Sequence, residues 1–169
     1  MKPRLRYMTE NDLPLVLCWR NHPDIRNYMF QNHIISIEEH LAWYKHASQQ
    51  SDIELLIFEG YDAPQGVVNI KIEEAYNTGS WGFYTAPDAP KGSGKIMGQL
   101  VLDYTFNHLE LRKLRGQAYS FNDPSIGLHQ SLGFSLEPCA DHNLSTSVDR
   151  SEIVCFGIDN DKYATLRKG

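Results

Sequence analysis

The sequence predicts an α/β (α+β) fold built on a single mixed sheet, and three observations carry that prediction. An apolar segment around Trp81 runs into the glycine-rich turn Lys91-Gly92-Ser93-Gly94. Apolar residues then recur at three and four from Lys95 (Ile96, Met97, Leu100, Val101, Tyr104), the spacing of a helix packed on a sheet. Further on, a strand-like stretch from Lys113 to Phe121 is followed by Asn122 or Asp123, either of which can cap a short helix that opens at Pro124 and ends at Gly133.

The other elements follow in order. A strand near Pro3 to Met8 leads to Thr9-Glu-Asn-Asp12, a capping-box-like start for a helix carrying Leu13, Val16, Leu17 and Arg20. Pro23 and Asp24 open a shorter helical segment through Met29. Ser36-Ile-Glu-Glu39 is a capping box for a helix with His40, Leu41, Trp43 and Tyr44. Strands are expected at about Ile53 to Glu59 and Gly66 to Glu74, with Asn77-Thr-Gly79 as the turn into the Trp81 strand. The chain closes with strands near Phe134 to Glu137 and Glu152 to Ile158. No internal repeat, low-complexity tract or linker interrupts it, so residues 1–169 read as one domain with a core of its own.

Composition excludes some classes. A net charge of −5 without a Lys/Arg-rich run argues against nucleic acid as a partner. There is no apolar run of about 18 residues and no signal-peptide pattern, so a soluble cytoplasmic protein with no membrane partner is expected. Cys18, Cys139 and Cys155 are odd in number and far from any Cys-x2-Cys spacing, which makes a disulfide or a metal site unexpected and buried thiols the default.

The glycine turn carries the chemistry. Strand, turn and helix in this order aim free backbone N–H groups and the positive end of a helix at one point, which suits a phosphate or pyrophosphate. A P-loop would need Gly-x4-Gly-Lys-Ser/Thr, but Ile96 stands where the magnesium-binding hydroxyl should be. A dinucleotide fingerprint fails because the third glycine, Gly98, comes one residue late. Alone, Gly-Ser-Gly reads as an ordinary strand-to-helix turn rather than a phosphate site.

With the motif about 30 residues on, Asn122 to Leu132-Gly133-Phe134, the chain resembles the Gcn5-related N-acetyltransferase (GNAT) superfamily. The resemblance implies a largely antiparallel mixed sheet of about seven strands, splayed at an acetyl-CoA site and flanked by about four helices. It implies acetyl transfer from acetyl-CoA to an amine, with no metal. The pyrophosphate would bind along Lys91, Gly92, Ser93, Gly94, Lys95 and Ile96, and pantetheine would pair with Phe83 to Thr85, with Asn122 and Ser125 nearby. Where many relatives place a tyrosine acid stands His129, which can donate as imidazolium; as a helix-surface residue it would do nothing. Gln117 occupies the place of a glutamate base and cannot accept a proton, which leaves a water chain, or Tyr84, His33 and His40 as candidates by residue type.

The N-terminal third resembles the acetyltransferases of pseudaminic-acid biosynthesis, which acetylate the 4-amino group of a UDP-linked 4-amino-4,6-dideoxy sugar, a step toward flagellin glycosylation. The pattern is Arg20-Asn21-His22-Pro23, then Met29, then Ser36-x3-His40-x2-Trp43. That resemblance places Arg20, Met29 and His40 in a nucleotide pocket and Tyr84 near the reaction centre. Taken singly, Arg20 and His40 read as solvated helix residues and Met29 as core. Peptide N-terminal and aminoglycoside acetyltransferases share the fold, the latter with carboxylates such as Glu38, Glu39, Glu73 and Glu74. A non-catalytic acetyl-CoA-binding module is the further alternative. A homodimer is expected from the resemblance alone.

Overall fold

Residues 2–139 and 152–168 are described by a computed structural model. Alternating apolar side chains build seven strands: β1 (Arg4–Tyr7), β2 (Ile53–Gly60), β3 (Ala63–Glu73), β4 (Thr78–Thr85), β5 (Lys113–Tyr119), β6 (Ser135–Glu137) and β7 (Ile153–Asp159). They form one sheet in the order β1-β2-β3-β4-β5-β7-β6. Every neighbouring pair is antiparallel except β4 and β5, which run parallel.

Among the described residues six helices accompany the sheet, two more than the resemblance implies: α1 (Leu13–Asn21), α2 (Pro23–Arg26), α3 (Ile37–Ala47), α4 (Ser93–Asp103), α5 (Asp123–Leu132) and α6 (Asn160–Lys168). The segment opened by Pro23 and Asp24 is the single turn α2, which ends at Arg26 rather than Met29, and the terminal α6 is the helix the sequence did not suggest. The sequence hides α6 because only Tyr163 of that helix is buried, too little for a helical apolar stripe. The caps fall where the sequence puts them. The Ser36 hydroxyl accepts from the Glu39 amide at 3.1 Å, the Asn122 side chain accepts from the Ser125 amide at 3.2 Å, and Gly133 closes α5 with φ 101°.

Two cores sandwich the sheet. On the front, α1 and α2 bury Leu13, Val16, Trp19 and Ile25 against Leu55, Ile57 and Val67. On the back, α4 and α5 bury Met97, Val101, Leu102 and Leu132 against Leu56, Val68, Ile70 and Leu114. Each such side chain stabilises the fold by roughly 1.5–3 kcal/mol. Gly98 permits the contact between these two helices, since a Cβ there would stand 2.4 Å from Leu132 Cδ1.

The cysteines depart from expectation. Cys139 and Cys155 are joined by a disulfide with their Cα atoms 5.3 Å apart, and Cys18 is exposed. Antiparallel pairing sets Glu137 opposite Cys155, so Cys139, two residues on, returns beside it. A separation of 16 residues in sequence carries no such information.

His129 is a core residue rather than a helix-surface one, with none of its surface exposed. Its Nδ1–H donates to the Ser125 carbonyl at 2.8 Å, its Nε2 accepts from Trp81 Nε1–H at 3.2 Å, and its ring stacks on Phe156 at 4.5 Å. Burial pushes its pKa down from 6.5 to about 4. The unfolded chain therefore binds a proton near pH 6.5 that the folded chain refuses until about pH 4; the contribution is complete above 6.5 and is lost as pH falls between these values. In a denaturant series across this window, unfolding free energy should fall by on the order of 3 kcal/mol from this group alone. His129→Phe should flatten the slope, leaving the smaller part due to His40, whose pKa burial also lowers. An unchanged slope in the variant would remove His129 as the titrating group.

Candidate active site

β4 and β5 share three residue pairs, Thr78 with Lys113, Gly79 with Leu114 and Ser80 with Arg115, and then part. β4 remains paired with β3 as far as Thr85, and β5 with β7 as far as Tyr119. The inner edges Trp81–Thr85 and Gly116–Tyr119 thus face each other across a gap, and every second backbone amide along them points into it. A cleft of about 1050 Å³ fills this gap and extends over the front of β5 and β7.

The parting begins where the Trp81 and His129 side chains meet behind the sheet. A Cβ on Gly116 would lie 2.4 Å from His129 Nε2 and 2.8 Å from Trp81 Nε1, so only glycine lets that pair sit against β5. His129 does not line the cleft. With both ring nitrogens engaged and its pKa near 4, it has no proton to deliver at neutral pH, which corrects its assignment as the acid.

The glycine turn closes the open end of the gap. Gly92 has φ 91° and its Cβ position is free of neighbours, so the backbone there is exposed. The Ser93 amide is spent on Pro90 O and the Ile96 amide on Gly92 O, while the Ser93 hydroxyl turns inward to Pro90 O at 2.6 Å. The amides of Gly94 and Lys95 stay clear at the start of an eleven-residue helix and line the cleft with Gly92. This cradle fits a pyrophosphate. Of the six turn residues expected to bind it, Lys91, Ser93 and Ile96 do not line the cleft, and the Lys95 ammonium is drawn to Ser131 O at 2.8 Å. Phe83, Thr85, Asn122 and Ser125 all line it, as expected.

Tyr84 also lines the cleft, from the front face of β4. Burial raises its phenol well above the ordinary value, opposed by the nearby Arg20 guanidinium, so it stays protonated. Gln117 lies on the wall between Arg115 and Tyr119. Of the candidate bases, His33 is exposed and bonded to Glu39 at 2.8 Å, and His40 is buried; neither lines the cleft.

Met29 is a wall residue, whereas Arg20 and His40 lie behind the wall, 7 % and 4 % exposed rather than solvated. Arg20 Nη2 donates to Gln31 O, while Arg20 Nη1, Arg26 Nε and His40 Nε2 are buried without a hydrogen-bond partner among the described residues. Burial and the Arg20 charge keep His40 neutral at pH 7. Glu38, Glu39, Glu73 and Glu74 do not line the cleft.

Sequence reasoning missed the acceptor side. Lys113, Arg115, Glu137 and Cys155 share the front of the sheet there, and Tyr28 and Phe30 face Phe121 and Tyr119 at 6.1 and 4.9 Å. The alternation of β5 already put Lys113, Arg115 and Gln117 on one face, but it could not say which face was open. Among the described residues no group of three His, Cys, Asp or Glu stands close enough to hold a metal, and no helix is long and apolar enough to cross a membrane.

Comparison with known proteins agrees with this geometry. Residues 4–135 match the family described as an acetyltransferase (GNAT) domain. Acetyltransferase PseH of Campylobacter jejuni is 27 % identical over 136 residues, covering 79 % of this chain and 85 % of that protein. Among solved structures, spermidine N-acetyltransferase from Vibrio cholerae, in complex with CoA and spermine, superposes with a TM-score of 0.84 at 20 % identity, covering 96 % of this chain and 98 % of that one. Aminoglycoside acetyltransferase AAC(6')-Ib in complex with coenzyme A does so with 0.83 at 16 % identity, covering 98 % and 99 %. With a splayed parallel pair, a glycine turn at a helix start and a family match over most of its length, the chain belongs to the GNAT family of acetyltransferases.

Proposed function

We propose that this protein is an acetyl-CoA-dependent N-acetyltransferase whose acceptor is the 4-amino group of a UDP-linked 4-amino-4,6-dideoxy sugar, acting in pseudaminic-acid biosynthesis. The observation that carries the choice of acceptor is the make-up of the acceptor side of the cleft. It offers aromatic faces, Met29 and the cations Lys113 and Arg115, and its only carboxylates among the described residues are Asp24 and Glu137. Glu137 is already bonded to Lys113 at 2.5 Å. A polyamine or an aminoglycoside is a polycation and needs a wall of free carboxylates, whereas a sugar nucleotide needs cations and a flat apolar surface.

In this reading the Gly94 and Lys95 amides hold the pyrophosphate of acetyl-CoA and the inner edge of β4 pairs with its pantetheine. One amide of that edge donates to the oxyanion developing on the acetyl carbonyl. Attack by the acceptor amine forms the new C–N bond and breaks the C–S bond, and the Tyr84 hydroxyl, kept protonated by burial, donates to the departing thiolate. Holding both substrates in one cleft supplies much of the rate, so a water relay suffices as base. Behind Met29, His40 donates from one nitrogen to a backbone carbonyl and keeps Nε2 as an acceptor, while Arg20 Nη1 is a free donor. Buried behind the wall, this pair backs Met29 and does not itself reach a ligand in the cleft.

Thiol release should be confined to the UDP-amino sugar when it is compared with spermidine, an aminoglycoside and a basic N-terminal peptide; turnover with any of the others alone sinks the acceptor assignment. Tyr84→Phe should lower kcat roughly ten- to a thousand-fold with acetyl-CoA affinity unchanged, and undiminished turnover would acquit the phenol. In calorimetric titration Gly92→Asp should bind CoA at least about ten-fold more weakly than Gly92→Asn, which tolerates the positive φ without adding charge. Equal affinities would make the turn structural only.

A further inference from the structure

We propose that Arg115, with Lys113 beside it, forms an anion subsite on the acceptor side of the cleft that takes the diphosphate of the nucleotide sugar. The inference deepens the reading of the acceptor given above and rests on it. Arg115 is the last residue of β5 paired with β4, opposite Ser80, so it stands at the vertex of the splay. Leu114, Gly116 and Ala118 turn back toward α4 and α5, which leaves Lys113, Arg115 and Gln117 on the front.

The guanidinium of Arg115 is half-buried in the cleft wall and makes no hydrogen bond or ion pair with the described residues. The other cations that line the cleft among the described residues are engaged otherwise: Lys113 holds Glu137 at 2.5 Å, and Lys95, at the far end of the gap, holds Ser131 O. Glu137 reaches Lys113 by lying over Gly157, the residue paired with Arg115, where a Cβ would come within 2.5 Å of the carboxylate. With Glu137 spent on Lys113, Arg115 is left without a carboxylate partner among the described residues, and the planar fork of a guanidinium suits bidentate contact with phosphate.

The subsite is distinct from the cradle for the CoA pyrophosphate. The gap strand from Trp81 to Thr85 separates them, about 16 Å of extended chain. A thioester anchored at the glycine turn and running along β4 reaches toward the vertex, so a second anion there belongs to the other substrate. In a 4-amino sugar nucleotide the diphosphate sits across one pyranose ring from the reacting amine. Arg115 would therefore fix which end of the sugar meets the thioester.

The test is calorimetric titration of the CoA-bound protein with UDP and with uridine, in wild type, Arg115→Ala and Glu137→Gln. Arg115→Ala should weaken UDP roughly ten- to a hundred-fold and leave uridine and CoA unchanged. Glu137→Gln, which releases Lys113, should tighten UDP several-fold, and this gain of binding cannot come from misfolding. UDP affinity retained in Arg115→Ala, or untouched in Glu137→Gln, overturns the subsite while leaving the nucleotide-sugar reading in place. Failure of wild type to bind either UDP or uridine overturns both.

Discussion

The structure depends on one unmet requirement of the backbone: β4 and β5 run parallel for three residue pairs and then stop sharing hydrogen bonds. An extended edge with free N–H and C=O groups must find partners, in water or in a ligand. Here the edge lies inside a walled cleft, so a ligand with amides of its own is a better partner than disordered water. The parting is held open from behind, where Trp81 and His129 meet across Gly116 and α5 is stacked on Phe156 through the imidazole. Everything on the front, including the cations of β5 and the aromatic rim, is placed by that divergence.

The same arrangement explains why a histidine sits where a proton donor was expected. An imidazole enclosed by Trp81, Phe134 and Phe156, with both nitrogens engaged, is an anchor for the helix that caps the cleft and gives up its basicity in return. In the mechanism proposed above, proton transfer is given to a group that faces the cleft. Tyr84 faces it, and burial keeps that phenol protonated.

Charge divides the cleft into two ends. At one end, helix-terminal amides and a glycine make an anion cradle with no side-chain charge directed into it, since the Lys95 ammonium is turned away. At the other, Lys113 and Arg115 share the wall with Asp24 and Glu137, and because Glu137 is bonded to Lys113 the Arg115 guanidinium is left unpaired among the described residues. Behind the wall, the orphaned donors of Arg20 and Arg26 and the Nε2 of His40 are buried polar atoms of a kind that native proteins seldom leave unpaired.

The local signals were legible in the sequence: the capping residues Ser36 and Asn122, the glycine turn with its following helix, the terminator Gly133 and the period-two strands are all decided within a few residues, because caps, positive φ and pleat are short-range properties. Together with the resemblance they carried, they sufficed for the fold. What depends on distant segments was not legible. Burial turned His129 from an acid into an anchor and moved Arg20 and His40 behind the wall, strand pairing brought Cys139 to Cys155, and the open face of β5 made Arg115 part of the site. Residue type and spacing fix which group is present, but desolvation and register fix its proton, its partner and its exposure, and those exist only once the chain has packed.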